Sequence, residues 1–308
     1  MKYVVSGYIG FDNFGDEAIA HVLTNRLKQE GAEKITLISS NPDKTSKLHD
    51  VDSCGMFAFF NHLLDSDVLI SGGGSLLQDV TSLKSLVYYL GVIYFALLLK
   101  KKVEIFAQGI GPINSRIGKI LTKIALRKCS KITVRDKKSQ ELLESWNIKS
   151  TLVNDPILDI ELEHKNAVGV VGIQLRQFSG VTEEFLNNLA EEISKKFADK
   201  KIRLISLQDS LDLEICENFA KKLTDKNMNA EVLSQLDIKG VIDAISNLEY
   251  LIAMRFHANV IGIKSGVKTL AINYDPKVQK LAEEYNLPII DLNQNNISEE
   301  LEKLKQIL

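Results

Sequence analysis

Short apolar runs alternate with longer segments of helical spacing from one end of the chain to the other. In the first half the runs are KYVVS (Lys2–Ser6), KITLIS (Lys34–Ser39), DVLISG (Asp67–Gly72), VEIFA (Val103–Ala107), KITVR (Lys131–Arg135) and STLVN (Ser150–Asn154). Between them, residues 17–30, 83–99, 116–126 and 138–146 read as helices. Strands rich in β-branched residues, alternating with helices, predict a parallel sheet covered on both faces. The charged, proline-containing segment Asp155–Ala167 breaks the alternation and predicts a linker. The pattern then restarts with VGVVGIQL (Val168–Leu175), IRLISL (Ile202–Leu207), AEVL (Ala230–Leu233), YLIAM (Tyr250–Met254), VKTLAIN (Val267–Asn273) and PIIDL (Pro288–Leu292), and helices are expected at 183–197, 211–223, 239–247, 259–264 and 278–285. The expected architecture is α/β: two Rossmann-like domains, 1–160 and 167–308, joined by the linker 155–167, with a cleft between them.

Length supports this division, because 308 residues exceed the usual size of one domain. A net charge of −2 gives no broad basic surface for nucleic acid, so any anion site must be local. Cys54, Cys129 and Cys216 are scattered and form no C-x-x-C pair, which suits reduced, packed thiols in a cytoplasmic protein. The apolar run after Lys2 stops at Gly7, too early for a signal peptide. The longest apolar stretch, Leu86–Leu99, precedes three lysines, Lys100 to Lys102. It falls short of the roughly 20 residues that span a bilayer. A buried helix is expected there, with docking to the inner membrane surface as the alternative.

In open α/β sheets, ligands bind beyond the carboxyl ends of the strands. That rule sets aside Asp65-Ser66-Asp67: this D-x-D precedes a strand, and is expected to be a connector. After strands of the first domain come the loops GYIGFDNFGDEA (with Gly10, Asn13 and Gly15), SGGGSLLQD (with Gly73, Gly74, Gln78 and Asp79), QGIGP (with Gln108 and Gly109), and Arg135-Asp136. Repeated glycines at one sheet edge suggest backbone approaching a ligand. The first loop has the outline of a phosphate loop, yet Asp16 and Glu17 stand where Lys and Ser/Thr would hold phosphate and metal. Carboxylates at a helix start suit hydroxyls better than phosphate, as acceptors or as bases. Gly109-Ile110-Gly111 runs into Pro112, so no dinucleotide fingerprint is present and NAD is not expected. No cluster of metal-ligand spacing occurs, and no metal is expected. In the second domain, Arg255 and His257 open a helix, and Lys277 follows the next strand. Both strand ends share one edge, where a helix amino terminus and these cations suit an anion.

The ordered blocks GYIGFDNFGDEA, SGGGSLLQDVTSLKSLVYYLG, AQGIGP, TVRD, NDP and MRFHANVIG resemble those of the polysaccharide pyruvyl transferases, particularly the CsaB type. The resemblance runs from Gly7 to about Lys277 and implies a fold like the two-domain GT-B glycosyltransferases. It implies phosphoenolpyruvate as co-substrate, a glycan acceptor ending in N-acetylmannosamine and carried on a lipid-linked precursor, and no other cofactor. It carries donor-site roles onto Arg135, His257 and Lys277; the match at Arg176 is loose. On this reading Arg255 neutralises further charge, His257 is the general acid, and Asp16 or Glu17 orients or deprotonates the acceptor. A nucleotide-sugar glycosyltransferase, or a non-catalytic protein that binds glycans or sugar phosphates, would fit the same fold.

Overall fold

The computed structural model describes residues 1–160, 162, 168–293 and 296–307. The chain divides into two compact units, Met1–Ile160 and Glu161–Leu308. Strands of the first unit are β1 (Lys2–Ser6), β2 (Lys34–Ser39), β3 (Asp52–Gly55), β4 (Val68–Gly72), β5 (Lys102–Gln108), β6 (Lys131–Val134) and β7 (Thr151–Leu152). Its helices are α1 (Phe14–Gln29), α2 (Pro42–His49), α3 (Phe59–Leu64), α4 (Leu83–Leu98), α5 (Arg116–Leu126) and α6 (Lys137–Ser145). The second unit holds β8 (Val170–Gln174), β9 (Lys201–Ile205), β10 (Ala230–Leu233), β11 (Tyr250–Ala253), β12 (Lys268–Asn273) and β13 (Ile289–Asp291). Its helices are α7 (Glu183–Lys196), α8 (Asp209–Thr224), α9 (Ile238–Ser246), α10 (Phe256–Lys264), α11 (Pro276–Tyr285) and α12 (Ile297–Gln306).

All strand pairs are parallel, in the orders β3-β2-β1-β4-β5-β6-β7 and β10-β9-β8-β11-β12-β13. Both are doubly wound sheets, and their direction of travel reverses between β1 and β4 and between β8 and β11. Such reversals open the crevice in which α/β sheets bind ligands. The central strands explain why the sequence reads so plainly: Val4, Val5, Leu69 and Ile70 in the first unit are buried, as are Leu251 and Ile252 in the second.

Four elements escaped the apolar pattern. β3 (Asp-Ser-Cys-Gly) has no β-branched residue, α2 is mostly polar beyond Pro42, α3 has apolar residues but no side-chain cap at its start, and α12 is five-tenths charged. The segment expected to link the units starts as part of the first. Asp155 caps a short 3-10 turn, Pro156–Asp159, whose Pro156 and Ile157 are buried and which packs against α1. The rest of that expected linker, residues 161 and 163–167, lies outside the described residues. Asp65 and Asp67 behave as the connector expected at the amino edge, taking the Lys2 ammonium at 2.9 Å and the Lys2 backbone N–H at 2.8 Å.

Helix α4 buries Leu86, Tyr89, Leu90, Val92, Ile93 and Ala96, so one face is core; Leu83, Val87 and Leu98 face solvent. Among the described residues, no helix is long and apolar enough to cross a membrane.

The cysteines are free, and burial raises their thiols, Cys54 to about 11 and Cys129 and Cys216 to about 12. Thiols so far above neutral pH carry little thiolate, the nucleophilic form. A disulfide-forming reagent at pH 8 should label none of them quickly in the native protein and all of them after denaturation. Rapid native labelling would contradict the packing described.

Candidate functional site

In the first unit, one network of contacts runs across the carboxyl edge. Asn13 caps α1, accepting the Gly15 N–H at 3.1 Å, and its amide donates to Asp16 Oδ2 at 2.7 Å. The capping amide thereby aims the Asp16 carboxylate toward the loop after β4. There Gly73 and Gly74 take positive φ, and a Cβ on Gly74 would come within 2.6 Å of Asp16 Oδ1. Gly74 O accepts the Gly109 N–H at 2.9 Å, and Ser75 Oγ accepts from Arg135 at 3.3 Å. Asp16, Gly74, Gly109, Ser75 and Arg135, expected from four separate loops, are therefore neighbours. Burial, and then the Asp16 charge, raise the Tyr89 phenol, which donates to Gly7 O at 3.3 Å.

Glu17 turns the other way. It is 5 % exposed, accepts the Gly10 N–H at 2.7 Å, and lies 3.0 Å from His49 Nε2 at the end of α2. Both oxygens are engaged inside the fold, which corrects the expectation that either acid could serve as base. Gly10 itself sits at φ +83°, where a side chain would strike Ser39 Oγ and the Asn41 nitrogen. The loop can take this path only as glycine, with Glu17 holding it from below. Beside this pair, burial and then the neighbouring His49 lower the pKa of His21 and favour its neutral form.

Gln78 and Asp79 also depart from the expected substrate-binding role. Gln78 folds onto its own turn, accepting from Val80 and Thr81 nitrogens at 2.7 and 3.1 Å. Asp79 accepts the Asn114 and Ser115 N–H groups, each at 2.7 Å, and these donors hold its carboxyl below the usual range. Its work is to brace the loop ahead of α5. Gln108 lies in the bulged end of β5, fully buried, donating to Ser71 Oγ at 2.8 Å. Its Oε1 has no protein partner among the described residues. Arg135 gives one nitrogen to Asp155 at 2.8 Å, so its plane is fixed and part of its charge is matched.

In the second unit, Arg255 proves to be scaffolding. Its guanidinium makes two 2.7 Å contacts to Asp212, which is fully buried, and a third, 3.1 Å, to Gln208. Asp212 also accepts the Leu207 and Gln208 N–H groups at 3.1 Å. Gln174 takes the Arg255 N–H at 2.8 Å, and Asn259 ties back to the carbonyls of Ala253 and Arg255. The expected anion-binding role of Arg255 is thus corrected: its charge is cancelled by Asp212, and the network fixes the first turn of α10, which carries His257. Lys277 lies in the first turn of α11, where Asp275 caps the helix by accepting the Lys277 N–H at 2.8 Å.

Arg176, whose match to the family's pattern is loose, lies two residues past β8. Its guanidinium lies 5.9 Å from the Tyr274 ring centre, within cation–π range. Its Nε is enclosed without a partner, and it forms no ion pair among the described residues. Phe178 packs edge-on against the same Tyr274 ring. In the first unit, Tyr8 and Phe11 stack at 4.1 Å in the loop before α1, an aromatic pair whose geometry no sequence spacing announced.

A family model described as polysaccharide pyruvyl transferase matches residues 13–276. The chain belongs to the polysaccharide pyruvyl transferase family. The match spans the start of α1, the glycine-rich loops after β4 and β5, the Val-Arg-Asp and Arg-Phe-His blocks, and Tyr274. No curated protein matches the chain by sequence. Solved structures show the fold of this family member to be of the GT-B kind. A Listeria monocytogenes protein described as a UDP-N-acetylglucosamine 2-epimerase superposes with a TM-score of 0.69 at 12% identity, over 100% of this chain and 89% of its own. S. aureus MnaA in complex with UDP gives 0.68 at 9% identity, over 100% and 88%. The Neisseria meningitidis UDP-GlcNAc 2-epimerase bound to UDP-GlcNAc gives 0.64 at 12%, over 99% and 92%.

The two arginines should behave oppositely when truncated. Arg255→Ala leaves Asp212 buried and unpaired, and should cost about 3–5 kcal/mol of stability in urea unfolding. Arg176→Ala removes a ring contact and should cost about 1 kcal/mol or less. Equal losses would refute the division into scaffold and free cation.

Proposed function

We propose that this chain transfers pyruvate from phosphoenolpyruvate to two hydroxyls of a sugar, making a cyclic ketal and releasing phosphate, as in the CsaB type of its family. The observation that carries the reading is a row of basic groups after three adjacent strands. Arg176 follows β8, His257 follows β11 and Lys277 follows β12, and β8 and β12 both pair with β11. Phosphoenolpyruvate carries a carboxylate and a phosphate, and needs concentrated positive charge with donors at a helix start. Arg176 and Lys277 supply that charge, the family resemblance gives Arg135 a donor role as well, and Arg255 acts through the orientation of His257.

The chemistry balances without an oxidant, and the scheme draws on no metal or cofactor. His257 protonates the methylene carbon of the enol phosphate, leaving positive charge on the central carbon. A sugar hydroxyl adds there and gives up its proton toward Asp16. A second hydroxyl then displaces phosphate: the second C–O bond of the ketal forms as the C–O bond to phosphate breaks, and the hydroxyl proton leaves with the phosphate. Tyr8 and Phe11 offer an apolar ring face to the sugar, and the acceptor is an N-acetylmannosamine residue on a lipid-linked precursor. Nucleotide-sugar transfer is the second reading, favoured by the fold shared with proteins that bind UDP and UDP-GlcNAc.

The test mixes purified protein with phosphoenolpyruvate and a lipid-linked disaccharide ending in N-acetylmannosamine, following phosphate and product mass. Expected are phosphate release and a product heavier by one pyruvate less one water. His257→Ala should lower kcat by about 10²–10⁴-fold with an unchanged melting temperature. Arg176→Ala should weaken protection by phosphoenolpyruvate against thermal unfolding. Release of UDP from a UDP-sugar, with no turnover of phosphoenolpyruvate on a panel of sugars, would replace this reading with the second.

A further inference from the structure

Helix α5 is apolar on two faces, and only one of them meets the core. Gly118, Thr122, Ala125 and Leu126 are buried. Ile117, Ile120, Leu121 and Ile124 are 70, 58, 38 and 42 % exposed. At about 100° per residue these four fall on one arc on the side away from the buried set. The solvent side of α4 continues the surface through Leu83, Val87 and Leu98, at 52, 59 and 76 % exposure. Tyr94 of α4 donates to Leu121 O at 2.7 Å and joins the two helices. Large side chains scattered singly over a surface need no explanation; two adjoining helices with apolar outer faces do.

Charge identifies what would cover them. Residues 105–135 contain seven Lys and Arg and no Asp or Glu, and the only charged residue of α4 is Lys84. Arg116, Lys119, Lys123 and Arg127 follow one margin of the α5 stripe at helical spacing. At the amino end of α5 the carboxylate is Asp79, already held by Asn114 and Ser115, and Glu104 on β5 is paired with Lys102. A second copy of this face would bring like charges together across a two-fold axis. Nucleic acid would meet isoleucines where it needs cations. An apolar stripe with a cationic margin suits the boundary between lipid headgroups and acyl chains, where long Lys and Arg stems reach the anionic surface.

We propose that the outer faces of α4 and α5 are a docking surface for an anionic lipid bilayer. The inference is independent of the reaction proposed above, since its test uses neither donor nor acceptor. Purified full-length protein is floated with phosphatidylcholine vesicles, with and without phosphatidylglycerol. Flotation with the phosphatidylglycerol vesicles is expected at low salt, falling about tenfold or more at high salt or in phosphatidylcholine alone. The double changes Ile120→Glu with Ile124→Glu, and Lys119→Glu with Lys123→Glu, should each abolish it while leaving the circular dichroism melt in place. No flotation at low salt, or equal flotation of the isoleucine double variant, would overturn the proposal. So would a concentration-dependent dimer that this variant dissolves, which would assign the face to a second copy.

Discussion

Parallel pairing forces every return of the chain across a face of the sheet, and every strand then delivers its side chains to the same edge. An edge built from so many loops has many backbone N–H groups to satisfy. In this protein carboxylates set behind the edge do much of that work. Glu17 holds Gly10, Asp79 holds Asn114 and Ser115, Asp155 holds Ile157, and Asp212 holds Leu207 and Gln208. Two of them also hold an arginine, Arg135 and Arg255. What remains at the edge for a ligand is what these anchors do not use.

The strands were legible because a sheet covered on both sides tolerates few polar residues, so its runs stand out by composition alone. The rule that ligands gather at carboxyl ends picked out loops that do lie together at a sheet edge for the same reason: it follows from topology. What the sequence could not tell was the direction in which a polar side chain points from a correctly located loop. Glu17 and Asp16 are consecutive, and one faces inward while the other faces the loop after β4. Arg255 meets an aspartate 43 residues earlier in the chain. Helix α5 reversed the usual inference altogether, because its most apolar stripe faces water and smaller residues face the core.

The Arg-Phe-His-Ala-Asn block illustrates how one motif divides its labour. Its arginine and asparagine are both buried, and both bond back to the strand ends and the helix start. Their shared product is a rigid first turn, from which the histidine projects at a fixed position. A motif arginine is therefore a poor guide to ligand charge when a buried acid stands behind it. Arg176, which forms no ion pair among the described residues, sits in a stretch that matches the family's blocks only loosely.

His49 illustrates how far the edge depends on what lies behind it. It is 1 % exposed, it ends a helix that the apolar pattern missed, and Glu17 reaches the Gly10 loop from beside it. In a genetic screen, alleles at this codon would group with those of the glycine loop itself, because both disturb the same turn. A map of such alleles would trace the edge one layer deeper than its surface.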